Sequence, residues 1–164
     1  MKQPENIRNY KNIAVIKFDS PDPVVSYKMT EKISVRFANR GFNVLDRGKL
    51  KKLADEDALI QSGVSDPIRT ALAGIGITGL VFGNVEKYDC ESQKAWTWTG
   101  MSPERTTKED CSAVMSVKLV DINSGEVIWK IRKSHSEYAE DMTAQTVLGI
   151  VLAEIEEEMP EIQQ

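Results

Sequence analysis

Histidine occurs once, at position 135, and cysteine twice, and no apolar run approaches the roughly 20 residues a helix needs to cross a bilayer. A lone histidine with no announced nucleophile or acid partner gives hydrolytic chemistry no visible basis. Two cysteines far apart and one distant histidine also lack the short paired spacings of a zinc site, so neither a metal nor a cofactor is expected. Positive charge is not in excess either. Lys and Arg number 21 against 25 Asp and Glu, a net charge of −4, which offers no electrostatic footprint for nucleic acid. The opening MKQPENIRNYKN lacks the apolar core of a secretory signal, so the protein is either cytosolic or seen here without its leader. The remainder, 164 residues that are 41% hydrophobic and 28% charged, has the size and composition of one globular domain.

What is present reads as alternating strands and helices. Residues 112–136 hold two apolar-rich runs around Asn123-Ser124-Gly125, where Gly125 can take the left-handed conformation that closes a three-residue hairpin loop with a bulge. Residues 12–19, NIAVIKFD, read as a central strand buried on both faces. A helix follows, with Asp22 as N-cap, Pro23 at its first position and Gly41 as its stop. Val25, Met29, Ile33 and Phe37 recur every four residues and form one stripe to lay against a sheet. FNVLD at 42–46 gives a second strand, parallel to the first through a right-handed crossover.

Helical spacing then appears over 49–61, and another helix starts at Ser65-Asp66-Pro67 and runs to Gly74. A strand follows over 78–88. Residues 89–110 read as a polar excursion before the hairpin, and an apolar-faced helix after Asp141 closes the chain. The order is β-α-β-α-α-β-β-β-α, an α/β (α+β) fold with a single mixed sheet packed with helices. Residues 1–11 are expected to be a polar tail and 12–160 one domain, with a polar insertion at 89–111.

The candidates for chemistry are few. Gly74, Gly76 and Gly79 spell the letters of a dinucleotide fingerprint, but in reverse context: the glycines end a helix and enter a strand. His135 reads as a solvated strand-end residue. Asp55, Glu56 and Asp57, consecutive on a helix, point in different directions, and the acidic run at 154–158 needs a basic partner to suit the helix dipole. No catalytic residue is assigned. Trp96 and Trp98, two residues apart in an extended segment, fall on one face of a polar stretch, either as an exposed contact pair or folded back as a satellite of the core. Trp129 alternates with Val127 and Ile131 and is expected in the core. Cys90 and Cys111 bracket the polar segment. A bond between them would close a loop of about 20 residues, worth roughly 3 kcal/mol and requiring an oxidising compartment; two unrelated thiols are the alternative.

Four segments in register, IAVIKFDS with its following helix, GFNVLDR, TGLVFGNV and VKLVDINSGEVIWK, together resemble the CsgG-like branch of TolB-N-terminal-like bacterial envelope lipoproteins. The resemblance implies a secreted domain tethered through a lipidated cysteine to the inner leaflet of the outer membrane, with the signal and that cysteine preceding Met1. It also implies a structural or adaptor role in secretion, cell-surface assembly or a periplasmic complex, as a possible homo-oligomer with protein partners. Curli channels of this family form a pore with two β-hairpins per subunit. SPERTTKED at 102–110 lacks the apolar alternation of a membrane strand, and only 136–140 remains between the last strand and the final helix, so no pore is expected here. Trp96, Trp98 and Met101 would carry the protein contact. The competing expectation is a cytosolic α/β enzyme or small-ligand binder, with free thiols and with Asp19, Ser20 and Arg47 gathered at the carboxyl ends of parallel strands.

Overall fold

The computed structural model describes residues 4–53, 66–99 and 102–163, and the side chains of these except 93–107. Five strands, β1 (Asn12–Val15), β2 (Asn43–Val44), β3 (Gly79–Thr99), β4 (Ser102–Asp121) and β5 (Val127–Ala139), form one sheet in the order β2-β1-β3-β4-β5. β1 runs parallel to β2 and β3, while β3, β4 and β5 are antiparallel neighbours, so the sheet is mixed as the sequence pattern predicts. The helices are α1 (Pro23–Asn39), α2 (Arg47–Leu53), α3 (Asp66–Gly74) and α4 (Ala144–Glu157).

Alternation along β1 divides the core in two. Ile13 and Val15 join the cluster beneath α1 and α4, whereas Ala14 and Ile16 join Leu50 of α2 and Leu72 of α3 on the opposite face. A strand buried on both faces needs this near-continuous apolar run. α1 begins where Asp22 Oδ1 accepts the Val24 N–H at 2.8 Å, and it buries Val25, Met29, Ile33 and Phe37 as one stripe. Gly41 follows with φ of 92°. The Phe37 ring meets Phe42 edge-on at 5.1 Å and Trp129 at 6.1 Å, joining helix, β2 entry and β5. Two polar residues are buried on α1 as well. Thr30 Oγ1 accepts the Phe18 N–H at 2.9 Å, and Ser26 donates to the Phe18 carbonyl, so the backbone groups of Phe18 are satisfied by side chains of α1.

At two polar stretches the structure departs from the sequence reading. The first concerns the N-terminal tail: Ile7 and Tyr10, in a 3-10 turn over Ile7–Tyr10, are buried in the main core. Three-residue spacing puts both on one side of the turn, and the polar Arg8 and Asn9 between them hide that in a linear reading. The second concerns residues 89–110, which are the outer halves of β3 and β4 and not an irregular excursion. Pairing continues without a break from Lys87↔Val114 to Thr99↔Ser102. A ribbon of polar composition carries no apolar alternation, so the period-2 signal disappears while the ladder persists.

Tyr10 has a further role. Its hydroxyl donates to Asp121 Oδ2 at 2.8 Å, and Asp121 Oδ1 accepts the N–H groups of Asn123 and Ser124, both at 2.8 Å, within the β4–β5 turn. Gly125 closes that turn with φ of 72°. Burial, then the bond to Asp121, pushes the Tyr10 hydroxyl up to about 12. The Ser124 N–H, chief among its partners, holds the Asp121 carboxyl below its usual value. Because the folded state retains the Tyr10 proton more tightly, its contribution is complete below the ordinary tyrosine pKa of 10.0 and declines as pH rises towards about 12. Tyr10→Phe should cost about 1 kcal/mol in urea unfolding at neutral pH and flatten the alkaline loss of stability between those limits.

Candidate protein-contact surface

At the outer end of the sheet, β5 stops pairing at Glu109↔Ala139, whereas β3 and β4 continue as two strands to Thr99↔Ser102. The three-stranded sheet therefore narrows to a ribbon of about seven residues per arm, roughly 20 Å long at the usual strand rise. At this narrowing Cys90 stands directly opposite Cys111, and the two are joined by a disulfide with Cα atoms 4.0 Å apart. Cys111 is fully buried beneath the helices, so the staple ties the base of the ribbon to the main core. Ser92 Oγ donates to Glu109 Oε1 at 2.7 Å just beyond it.

Trp96 and Trp98 occupy alternate register positions of β3 in the ribbon, opposite Arg105 and Pro103. Their side chains lie outside the described residues, and so does Met101. Pro103 has no N–H to give, a composition tolerated at the end of a two-stranded ladder and not in the centre of a sheet. Trp129, by contrast, is buried. The alternation with Val127 breaks because Leu119↔Trp129 and Val120↔Val127 leave Ile128 as a bulge, and Val127 is 44% exposed.

The residues considered for chemistry serve the framework. Arg47 Nη1 donates to the Val15 carbonyl at 3.0 Å, tying α2 to the end of β1. Ser20 Oγ accepts the Asp22 N–H at 3.2 Å ahead of α1, and the Asp19 backbone pairs with Gly83 and Val85. His135 Nε2 lies 2.9 Å from Glu137 Oε1 and its Nδ1 3.9 Å from Glu154 Oε1, a bridge between β5 and α4. The acidic end of α4 meets the basic partners it needs: Arg40 Nη2 donates to the Glu156 carbonyl at 2.5 Å, Arg36 pairs with the Glu156 side chain at 2.9 Å, and Lys133 with Glu158 at 2.6 Å. Mutual hydrogen bonding raises the Lys133 pKa and lowers that of Glu158. The Gly74–Gly79 stretch closes α3 and enters β3, with Gly76 at φ of 91° and the Ile77 N–H reaching the Leu72 carbonyl at 3.1 Å. Asp55, Glu56 and Asp57 lie outside the described residues. Among the described residues, no group of three or more His, Cys, Asp or Glu could hold a metal ion, and no helix is long and apolar enough to cross a membrane.

A βαβ unit feeding an antiparallel meander, with helices on both faces and a stapled hairpin extending from one end, defines the class: an α+β mixed-sheet domain. The family model of the curli production assembly/transport component CsgG matches residues 10–162, and the chain belongs to that family. Among solved structures, the PelC dodecamer from Paraburkholderia phytofirmans superposes with a TM-score of 0.59 at 11% identity, over 99% of this chain and 96% of that one. The lipoprotein GNA1162 from Neisseria meningitidis gives 0.53 at 15% identity, over 89% and 96%. A putative neuraminyllactose-binding hemagglutinin homolog from Helicobacter pylori gives 0.51 at 10% identity, over 96% and 88%. At these identities the likeness is one of fold. No curated protein matches the chain by sequence.

Proposed function

We propose that this chain is a non-enzymatic domain of the cell envelope, held at the periplasmic side of the outer membrane by a lipid anchor. It acts as a structural or adaptor subunit through contacts with proteins, including further copies of itself. One observation carries this reading: the β3–β4 ribbon continues well past the last β5 pair, and it is stapled at its base by Cys90–Cys111. An element that runs beyond its neighbouring strand and is fixed at its base is suited to presenting Trp96, Trp98 and Met101 to a partner, since aromatic anchors in polar surroundings are common interface hot spots. Family membership and the fold shared with a dodecamer and a lipoprotein support the same reading. The resemblance would put one curli-channel hairpin at 89–110, but the return arm of the ribbon, residues 102–110, has the composition of a solvated strand, which supports an adaptor and not a pore.

The test is the double variant Trp96→Ala/Trp98→Ala, followed by sedimentation velocity and thermal melting. Self-association or binding to the envelope partner should fall while the melting temperature stays near that of the parent. A large drop in melting temperature would instead assign both rings to the core.

A further inference from the structure

On the sheet face turned away from α1 and α4, the register assembles two adjacent rows of polar and cationic side chains. Phe82 pairs with Lys118, which pairs with Lys130; in the next row Asn84 pairs with Ser116, which pairs with Arg132. All six line one groove of about 640 Å³, with Lys133 and Glu158 also in its wall. Lys118 and Lys130 are both exposed and directly opposite one another, a like-charge pairing that weakens a sheet. The carboxylates nearby are engaged: Glu86, the bulge residue of β3, lies 2.7 Å from Arg132 Nε, and Glu158 lies 2.6 Å from Lys133. On this face three cations, Lys118, Lys130 and Arg132, thus stand beside one carboxylate, Glu86, on a molecule whose net charge is −4.

We propose that this groove binds an extended acidic peptide segment of a partner protein, whose carboxylates pair with Lys118 and Lys130. Glu86 on Arg132 shows that the face accommodates a carboxylate. A sugar is the poorer occupant, because the Phe82 ring that would stack on it already carries the Lys118 ammonium, 5.6 Å from its centroid. The extended form follows from the neighbouring edge: β5 is the outermost strand on this side, and its backbone offers the donors and acceptors that an added strand takes up. This surface is separate from the ribbon, and the proposal does not depend on the role assigned there.

A fluorescein-labelled oligoglutamate peptide, titrated with the protein and followed by anisotropy, provides the test. The parent should bind saturably and lose affinity as salt is raised. Lys118→Glu/Lys130→Glu should bind about tenfold or more weakly, the loss expected of two charge-assisted contacts. Lys49→Glu/Lys51→Glu, the same charge change on α2, should bind like the parent. Equal losses in both variants, or none in the first, would overturn the site, and tighter binding of labelled oligogalacturonate would overturn the peptide assignment. Lys118→Gln/Lys130→Gln should melt at or above the parent temperature, because it relieves repulsion. A lower melting temperature would make the lysines structural and contradict the proposal.

Discussion

Gly83→Ala should destabilise the protein by about 3 kcal/mol, the upper end of what overpacking a filled core does. Gly83 lies between Val81 and Val85 on the face of β3 that looks into the main core, and a Cβ built on it would overlap the ring of Phe18, which is fully buried. The ring has little room to retreat, because the Phe18 backbone is held by Thr30 and Ser26 on α1 and Asp19 is bonded to Gly83 and Val85. The strain should be specific to this pair. Phe18→Leu alone loses packing, but the double variant Gly83→Ala/Phe18→Leu should be more stable than the sum of the two single losses, a coupling that urea unfolding in a double-mutant cycle measures directly. Additive losses would mean that the ring and the glycine do not compete for the same space.

Replacing Cys90 and Cys111 with serine and alanine respectively should cost about 3 kcal/mol, from the freedom that a loop of this length regains in the unfolded chain. The effect should be uneven across the molecule. Amides of β3 and β4 beyond the narrowing rely on one partner strand and the staple, whereas those of 111–119 are held by neighbours on both sides. Hydrogen exchange should therefore accelerate most in the outer ribbon and least in the central pairs, such as Val81↔Leu119. A uniform change would mean that the bond stabilises the sheet as a whole and not the junction.

The inner half of the fold was legible in the chain, for identifiable reasons. Asp22-Pro23 and the four-residue stripe from Val25 to Phe37 define α1 because cap, proline and periodicity all agree. Gly125 and the flanking runs define the last hairpin, although it is the Asp121 N–H donating to the Glu126 carbonyl that closes it, making the loop one residue longer than the pattern implies. The outer half was less legible, since a ladder of polar composition needs no apolar alternation to hold its register. The helix expected over 49–61 starts two residues earlier, where Asp46 Oδ1 accepts the Gly48 N–H at 2.9 Å, and is described as far as Leu53.

The two candidate surfaces differ in the same way. Trp96 and Trp98 stand out in the sequence because aromatic residues are conspicuous in a polar stretch. Lys118, Lys130 and Arg132 do not, because each occupies an outward strand position where a cation is ordinary. Only the pairing of β4 with β5 brings the two lysines opposite one another.

Two lines meet at the claim that this is an envelope domain working by contact and not a cytosolic catalyst: family membership, and a ribbon held by a bond that reducing conditions would open. The most direct test is to trap thiols in intact native cells with a membrane-permeant alkylating agent, without reductant, and to weigh the protein. The account predicts a mass without added label, with both cysteines labelled only after reduction. Two labels before reduction would contradict it.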